Sequence, residues 1–148
     1  MTLRLLMKTE KIKIYKIFID GIDKSGKDTI VGYIDKLSGH KYAVKSRGVL
    51  SLIAYAKLFN RNFKYDLCSE KCALHVIVDV SKEDWQVRCK MTNEPKIDYQ
   101  KNVNAFKYAE AIGKKNKLRI IHVDSTRNTP YSIAKQIINY ATKMNKEK

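Results

Sequence analysis

Gly21, Gly26 and Lys27, in the stretch "FIDGIDKSGKDT", satisfy the first seven positions of the pattern G-x-x-x-x-G-K-[ST]. The pattern has a physical reason. Backbone amides must curl around phosphate oxygens, glycines permit the dihedrals, and a following helix N-terminus adds its partial positive charge. Lys27 would reach the β- and γ-phosphates as a point charge. Residues Gly21, Ile22, Asp23, Lys24, Ser25, Gly26, Lys27, Asp28 and Thr29 are therefore the candidate ATP-binding loop. Asp28 stands where the pattern wants a hydroxyl for Mg²⁺. A carboxylate there either coordinates the hard cation directly or repels the triphosphate, and the sequence leaves both open. The matching chemistry is phosphoryl transfer from ATP, achieved mainly by positioning and charge neutralisation, with Mg²⁺ held partly by Asp28 or Asp20.

Weaker constellations surround this one. Asp79, at the end of an apolar run, is placed either to hold Mg²⁺ through water or to cap a strand. Cys68, Cys72 and His75 form C-x₃-C-x₂-H, but no fourth ligand follows at zinc-like spacing, so a structural role is expected. His40 and His122 have no nucleophile partner. Tyr55, Phe59, Phe63 and Tyr65 are interleaved with Lys57, Arg61, Arg47 and Lys64. Such a run is either a helix core face with a basic outer face or a stacking surface for a base or single-stranded nucleic acid.

The elements that must carry the loop are legible on either side of it. "IKIYKIFID" (Ile12 to Asp20) reads as a strand, and "KDTIVGYIDKLSG" as a helix with Ile30, Val31, Ile34 and Leu37 on one face. Lys41 to Ser46 is a second strand. "VLSLIAYAKLFNR" reads as a helix in which Leu52, Ile53, Ala56 and Phe59 share a face. The nearly continuous apolar run Ala73 to Val80 is the kind of strand buried on both sides of a parallel sheet. Ser81 N-caps the helix after it, which must stop before Pro95. A long amphipathic helix from Asp98, a fourth strand "KLRIIHVDS" and a closing helix from Pro130 complete the chain. This alternation predicts one α/β domain over residues 1–148, with about four parallel strands and helices on both faces.

Composition agrees. The 148 residues are 44% hydrophobic and 30% charged, which argues against disorder. Thirty Lys and Arg against 15 Asp and Glu give a net charge of +15, which favours phosphate-rich partners: nucleotides, and weakly nucleic acid through a basic surface. Three cysteines fit a reducing compartment, and the apolar run in "MTLRLLMK" is too short for a secretory signal. No stretch approaches a membrane span. A soluble, cytoplasmic protein is expected.

The loop also resembles that of thymidylate kinases, typically F-E-G-[LIV]-D-x-x-G-K-T-T. The resemblance implies that Asp23 contacts the acceptor sugar, that Lys24 helps neutralise the transferring phosphoryl group, and that Thr29 touches the α-phosphate. Asp20 stands for the family's glutamate and Asp28 for its first threonine. "KSRGVLSLIAY" is similar to D-R-[YH]-x-x-S-x-x-A-[YF], with Arg47, Ser51, Ala54 and Tyr55 in register and Ser46 in place of the aspartate. Arg47 would bind the acceptor phosphate. "VDVSKEDWQVRCKMTNEPKIDY" resembles the strand, helix and lid that follow, with Arg88 on the lid-helix arginine and a lid over about residues 90–97; "IIHVDST" resembles the last strand. The family's insert before the arginine segment, which carries its base-stacking aromatic, is reduced here to "SGHKYAVK". That trimmed layout looks like short phage or viral members, which would act in nucleotide biosynthesis in the host cytoplasm.

The resemblance thus implies a three-layer P-loop kinase fold and transfer of the ATP γ-phosphate to a deoxynucleoside monophosphate, thymidylate first. Lys27, Asp23, Lys24, Arg47 and Arg88 would be catalytic, and Asp23, Arg47, Ser51 and Tyr55 would bind the acceptor. A homodimer is the family's habit. The alternatives are a kinase for another acceptor, such as a nucleic-acid 5′ end, and a degenerate relative that binds nucleotide or nucleic acid without turnover.

Overall fold

The computed structural model of the chain describes residues 13–62, 64, 67, 70–92 and 98–146, which form four strands and five helices. In chain order these are β1 (Lys16–Asp20), α1 (Lys27–Leu37), β2 (Ala43–Ser46), α2 (Val49–Leu58), β3 (Ala73–Asp79), α3 (Lys82–Thr92), α4 (Tyr99–Lys115), β4 (Arg119–Asp124) and α5 (Pro130–Lys146). Every strand pair is parallel, in the order β2-β1-β3-β4. The expected α/β architecture is the one found.

Period-two alternation along the strands sorts side chains between two cores. Ile17 and Ile19 of β1 with Leu74, Val76 and Val78 of β3 meet Ile30 and Ile34 of α1 and Ile133 and Ile137 of α5. On the other face Ile77 meets Leu50 and Ile53 of α2 and Ala105 and Phe106 of α4. Each such isoleucine is fully or nearly fully buried, worth about 1.5–3 kcal/mol apiece, so the sheet is a rigid base for the loops above it. Ser81 caps α3 as its sequence suggested, its Oγ accepting from the Asp84 amide at 3.1 Å.

Two helix faces differ from expectation. On α2, Ile53 and Ala56 are buried, but Leu52 is 50% and Phe59 61% exposed. The helix is apolar nearly all round, so spacing alone does not select the buried stripe. On α1, Ile30 and Ile34 are buried while Leu37, in the last turn, is exposed. His75 is buried with its ring stacked on Phe18 (centroids 5.5 Å apart, planes 17° apart), and burial lowers its pKa. Among the described residues no His/Cys/Asp/Glu group of metal-binding size occurs. Cys68, Phe63, Tyr65 and positions 93–97 of the expected lid lie outside the described residues.

The chain leaves β1 for β2 on one side, then returns to β3 on the other. The loops leaving β1 and β3 diverge there, and in open α/β sheets such a crevice at the C-terminal ends of the strands is where ligands bind.

Candidate functional site

Residues 21–26 connect β1 to α1 at that crevice. Gly21 sits at φ +144°, where a Cβ would stand 2.7 Å from the Val78 carbonyl oxygen, so both conformation and proximity to β3 demand glycine. Gly26, at φ +93°, is the N-cap of α1 and supplies no side-chain cap. The orphan amides of the first turn of α1 are therefore available to an anion. Lys24 adopts φ +66° inside the loop.

Lys27 is folded back under this loop. Its Nζ donates to the Gly21 and Ile22 carbonyl oxygens, each at 2.9 Å, and only 4% of the residue is exposed. Burial lowers its pKa, an effect opposed by the nearby Asp23 carboxylate. The ammonium thus braces the loop mouth, within the cleft where an incoming phosphate would meet it.

The wall opposite is built from β2 and α2. Arg47, held at φ +64° just after β2, places its guanidinium 3.6 Å from Asp23 Oδ1. The Tyr55 hydroxyl reaches the same oxygen at 3.5 Å. Asp23, Lys24, Gly26, Lys27, Asp28, Thr29 and Arg47 line one open recess of about 340 Å³. The structure therefore brings together most residues expected at the phosphates and the acceptor.

Two expected residues lie beneath the cleft. Asp20, fully buried at the end of β1, accepts through Oδ1 from the Gly48 amide (2.8 Å), the Ser51 amide (3.2 Å) and the Ser51 hydroxyl. It caps α2 from a neighbouring strand, a role no local pattern announces. Ser51 is 2% exposed and gives its hydroxyl to this cap. Asp20 Oδ2 is buried with no hydrogen-bond partner, and burial raises the carboxyl pKa.

For a magnesium ion, Asp28 is the better fit. It is exposed on the cleft wall, and Mg²⁺ typically takes one or two carboxylates with waters and phosphate oxygens completing the shell. Asp20 offers a spare oxygen but is sealed from solvent.

Arg88, on α3, reaches the loop from behind. Its NH1 donates to the Lys24 carbonyl oxygen (2.8 Å) and Ser125 Oγ (3.3 Å), and NH2 to the Ser125 carbonyl oxygen (3.2 Å). Ser125 in turn donates both its amide and its hydroxyl to the Asp79 carbonyl oxygen. The end of β3, the loop after β4, the helix α3 and the β1–α1 loop are thus tied together. Beside this tie is a second recess, about 330 Å³ and mainly apolar, lined by Lys24, Ser25, Gly26, Ile30, Arg88, Met91, Ser125 and Pro130. Met91 falls within the expected lid, whereas sequence reasoning missed Ser125 and Pro130 as site residues because they are remote in the chain and carry no site motif.

The Asp79 side chain is engaged on the α4 side. Its Oδ2 lies 2.7 Å from His122 Nδ1, and His122 Nε2 lies 2.9 Å from Glu110 Oε2. Hydrogen bonding to Asp79, against partial burial, pushes the His122 pKa up to about 9.

No protein-family model matches the chain, and no curated protein matches it. Among solved structures it is similar to the YorR protein of Bacillus subtilis, crystallised in complex with phosphorylated GDP. The two share 16% identity and a TM-score of 0.71, over 90% of this chain and 99% of that one. At that identity the likeness is one of fold, an α/β fold whose sheet in this chain is four parallel strands.

Proposed function

We propose that this chain is a nucleotide kinase that transfers the γ-phosphoryl group of ATP to a nucleoside monophosphate, with thymidylate the first candidate. The observation that carries the reading is the uncapped N-terminus of α1, with Lys27 folded into the loop before it and a recess on each side. The loop amides and α1 hold the phosphates. Lys27 exchanges its two carbonyl partners for phosphate oxygens. Arg47, already paired with Asp23 across the cleft, receives the acceptor phosphate, while Asp23 and Tyr55 orient the acceptor. Arg88 holds the Lys24 carbonyl and so fixes the loop's shape, and the apolar recess beside it suits the ATP base. Mg²⁺ held by Asp28 would supply charge neutralisation between the phosphates.

The test is ADP release from Mg·ATP with a panel of deoxy- and ribonucleoside monophosphates. Guanylate belongs in the panel because the structurally similar YorR was crystallised with phosphorylated GDP. Turnover with one or two acceptors, lost in Lys27→Ala, is expected. No turnover with any of them in a folded protein would overturn the reading. Asp28 and Ser46 favour one second reading, a protein that binds nucleotide without turnover, because they replace the hydroxyl and the carboxylate that the resemblance places at the metal and the reacting phosphates.

A further inference from the structure

We propose that the outer face of α2 and α4 binds single-stranded nucleic acid. Phe59, the C-cap residue of α2, is 61% exposed, and Tyr108 of α4 is 44% exposed. Each ring lies against a cation, and Phe59 also against a second ring. Tyr55 stacks on Phe59, with centroids 6.5 Å apart and planes 24° apart. The Arg61 guanidinium lies 5.4 Å from the centre of the Phe59 ring, and Lys57 Nζ lies 4.8 Å from the centre of the Tyr108 ring. Tyr55, Phe59 and Arg61 thus form one group of planar and cationic side chains, whose inner member, Tyr55, reaches Asp23 in the cleft, and Lys57 with Tyr108 forms a second.

Charge selects the partner. From Val49, where α2 begins, to Tyr65 the sequence has Lys57, Arg61 and Lys64 and no Asp or Glu. α2 carries no acidic residue, and the single one in α4, Glu110, is already engaged by His122 and Lys114. A face with this excess of cations attracts a phosphate backbone. Exposed rings and guanidinium planes stack on unpaired bases, which a duplex keeps hidden. Charge alone would serve a duplex equally; the rings favour a single strand. The proposal rests on the exposed face, so an absence of kinase turnover would leave it standing.

The experiment is fluorescence anisotropy of a labelled oligothymidylate of about 20 nucleotides, compared with the corresponding duplex, at about 50 and 200 mM salt. Saturable binding is expected, tighter for the single strand and weakened about tenfold or more by the added salt. Phe59→Ala and Tyr108→Ala should each weaken single-strand binding by about fivefold to a hundredfold and erase the preference over duplex. Tyr108→Ala should leave the stabilisation of the protein by ATP unchanged. Absent binding at low salt, or equal affinity for strand and duplex in wild type and both variants, would overturn the proposal. So would a dimer in sedimentation velocity that Phe59→Ala dissociates while oligonucleotide binding is nil, since the face would then cover a second copy.

Discussion

At the scale of single residues, two carboxylates at the loop divide the work of structure and function. Asp20 gives one oxygen to three donors of α2 and leaves the other buried and unpartnered. Its raised pKa means the charge is disfavoured in the folded state, chiefly through burial. Asp20→Asn keeps an acceptor oxygen and removes that charge. The expected outcome is a melting temperature equal to or above wild type, together with reduced turnover, because strained charges persist where function needs them. A fall in melting temperature with turnover unchanged would make the aspartate purely structural. Asp28 is the opposite case, exposed and unburdened by structure. In Asp28→Asn, added Mg²⁺ should no longer increase the thermal protection given by ATP. Greater protection in the variant without metal would instead identify Asp28 as a repulsive charge.

At the scale of elements, α4 is held to the edge of the sheet by His122, which bridges Asp79 of β3 and Glu110 of α4, with Lys114 on the far side of Glu110 and Lys107 lining a recess together with Glu110 and His122. The His122 pKa, raised from 6.5 to about 9, fixes the sign. Protonated His122 contributes fully below pH 6.5; the contribution declines as pH rises and is gone above about 9. Glu110, its pKa lowered despite burial by His122 and Lys114, adds stability present above the usual carboxylate range and lost in acid. Since His122 is 44% exposed, the pair is worth about 1 kcal/mol after screening. His122→Gln should therefore melt below wild type near neutrality, with the gap closing by about pH 10.

Nothing in the sequence around His122 signalled this bridge, since its partners lie 43 and 12 residues away. The β1–α1 loop was legible for the converse reason: its glycines, its lysine and the helix it feeds are contiguous, whereas its ties to Val78 and Arg88 were not legible. Strands were legible through their apolar runs. The buried face of α2 was not, because a helix apolar nearly all round offers several stripes and only tertiary packing chooses among them.

At the scale of the molecule, a net charge of +15 sets the terms on which any ligand binds. Such a surface repels itself, and a polyanion seated on the loop relieves part of that repulsion while meeting the α1 amides and Lys27. Ligand at about a hundred times its Kd stabilises the folded state by about 2.7 kcal/mol. For a chain of 148 residues that corresponds to roughly 5 to 10 °C in melting temperature. ATP should give a shift of that size in wild type and little or none in Lys27→Ala, measured by differential scanning fluorimetry at fixed low salt. Inorganic triphosphate should give most of the ATP shift and adenosine almost none, because the charged groups of the cleft face the phosphates. If adenosine protects as well as ATP, the affinity resides in the apolar recess beside Arg88, and removal of the Lys27 ammonium should then cost little.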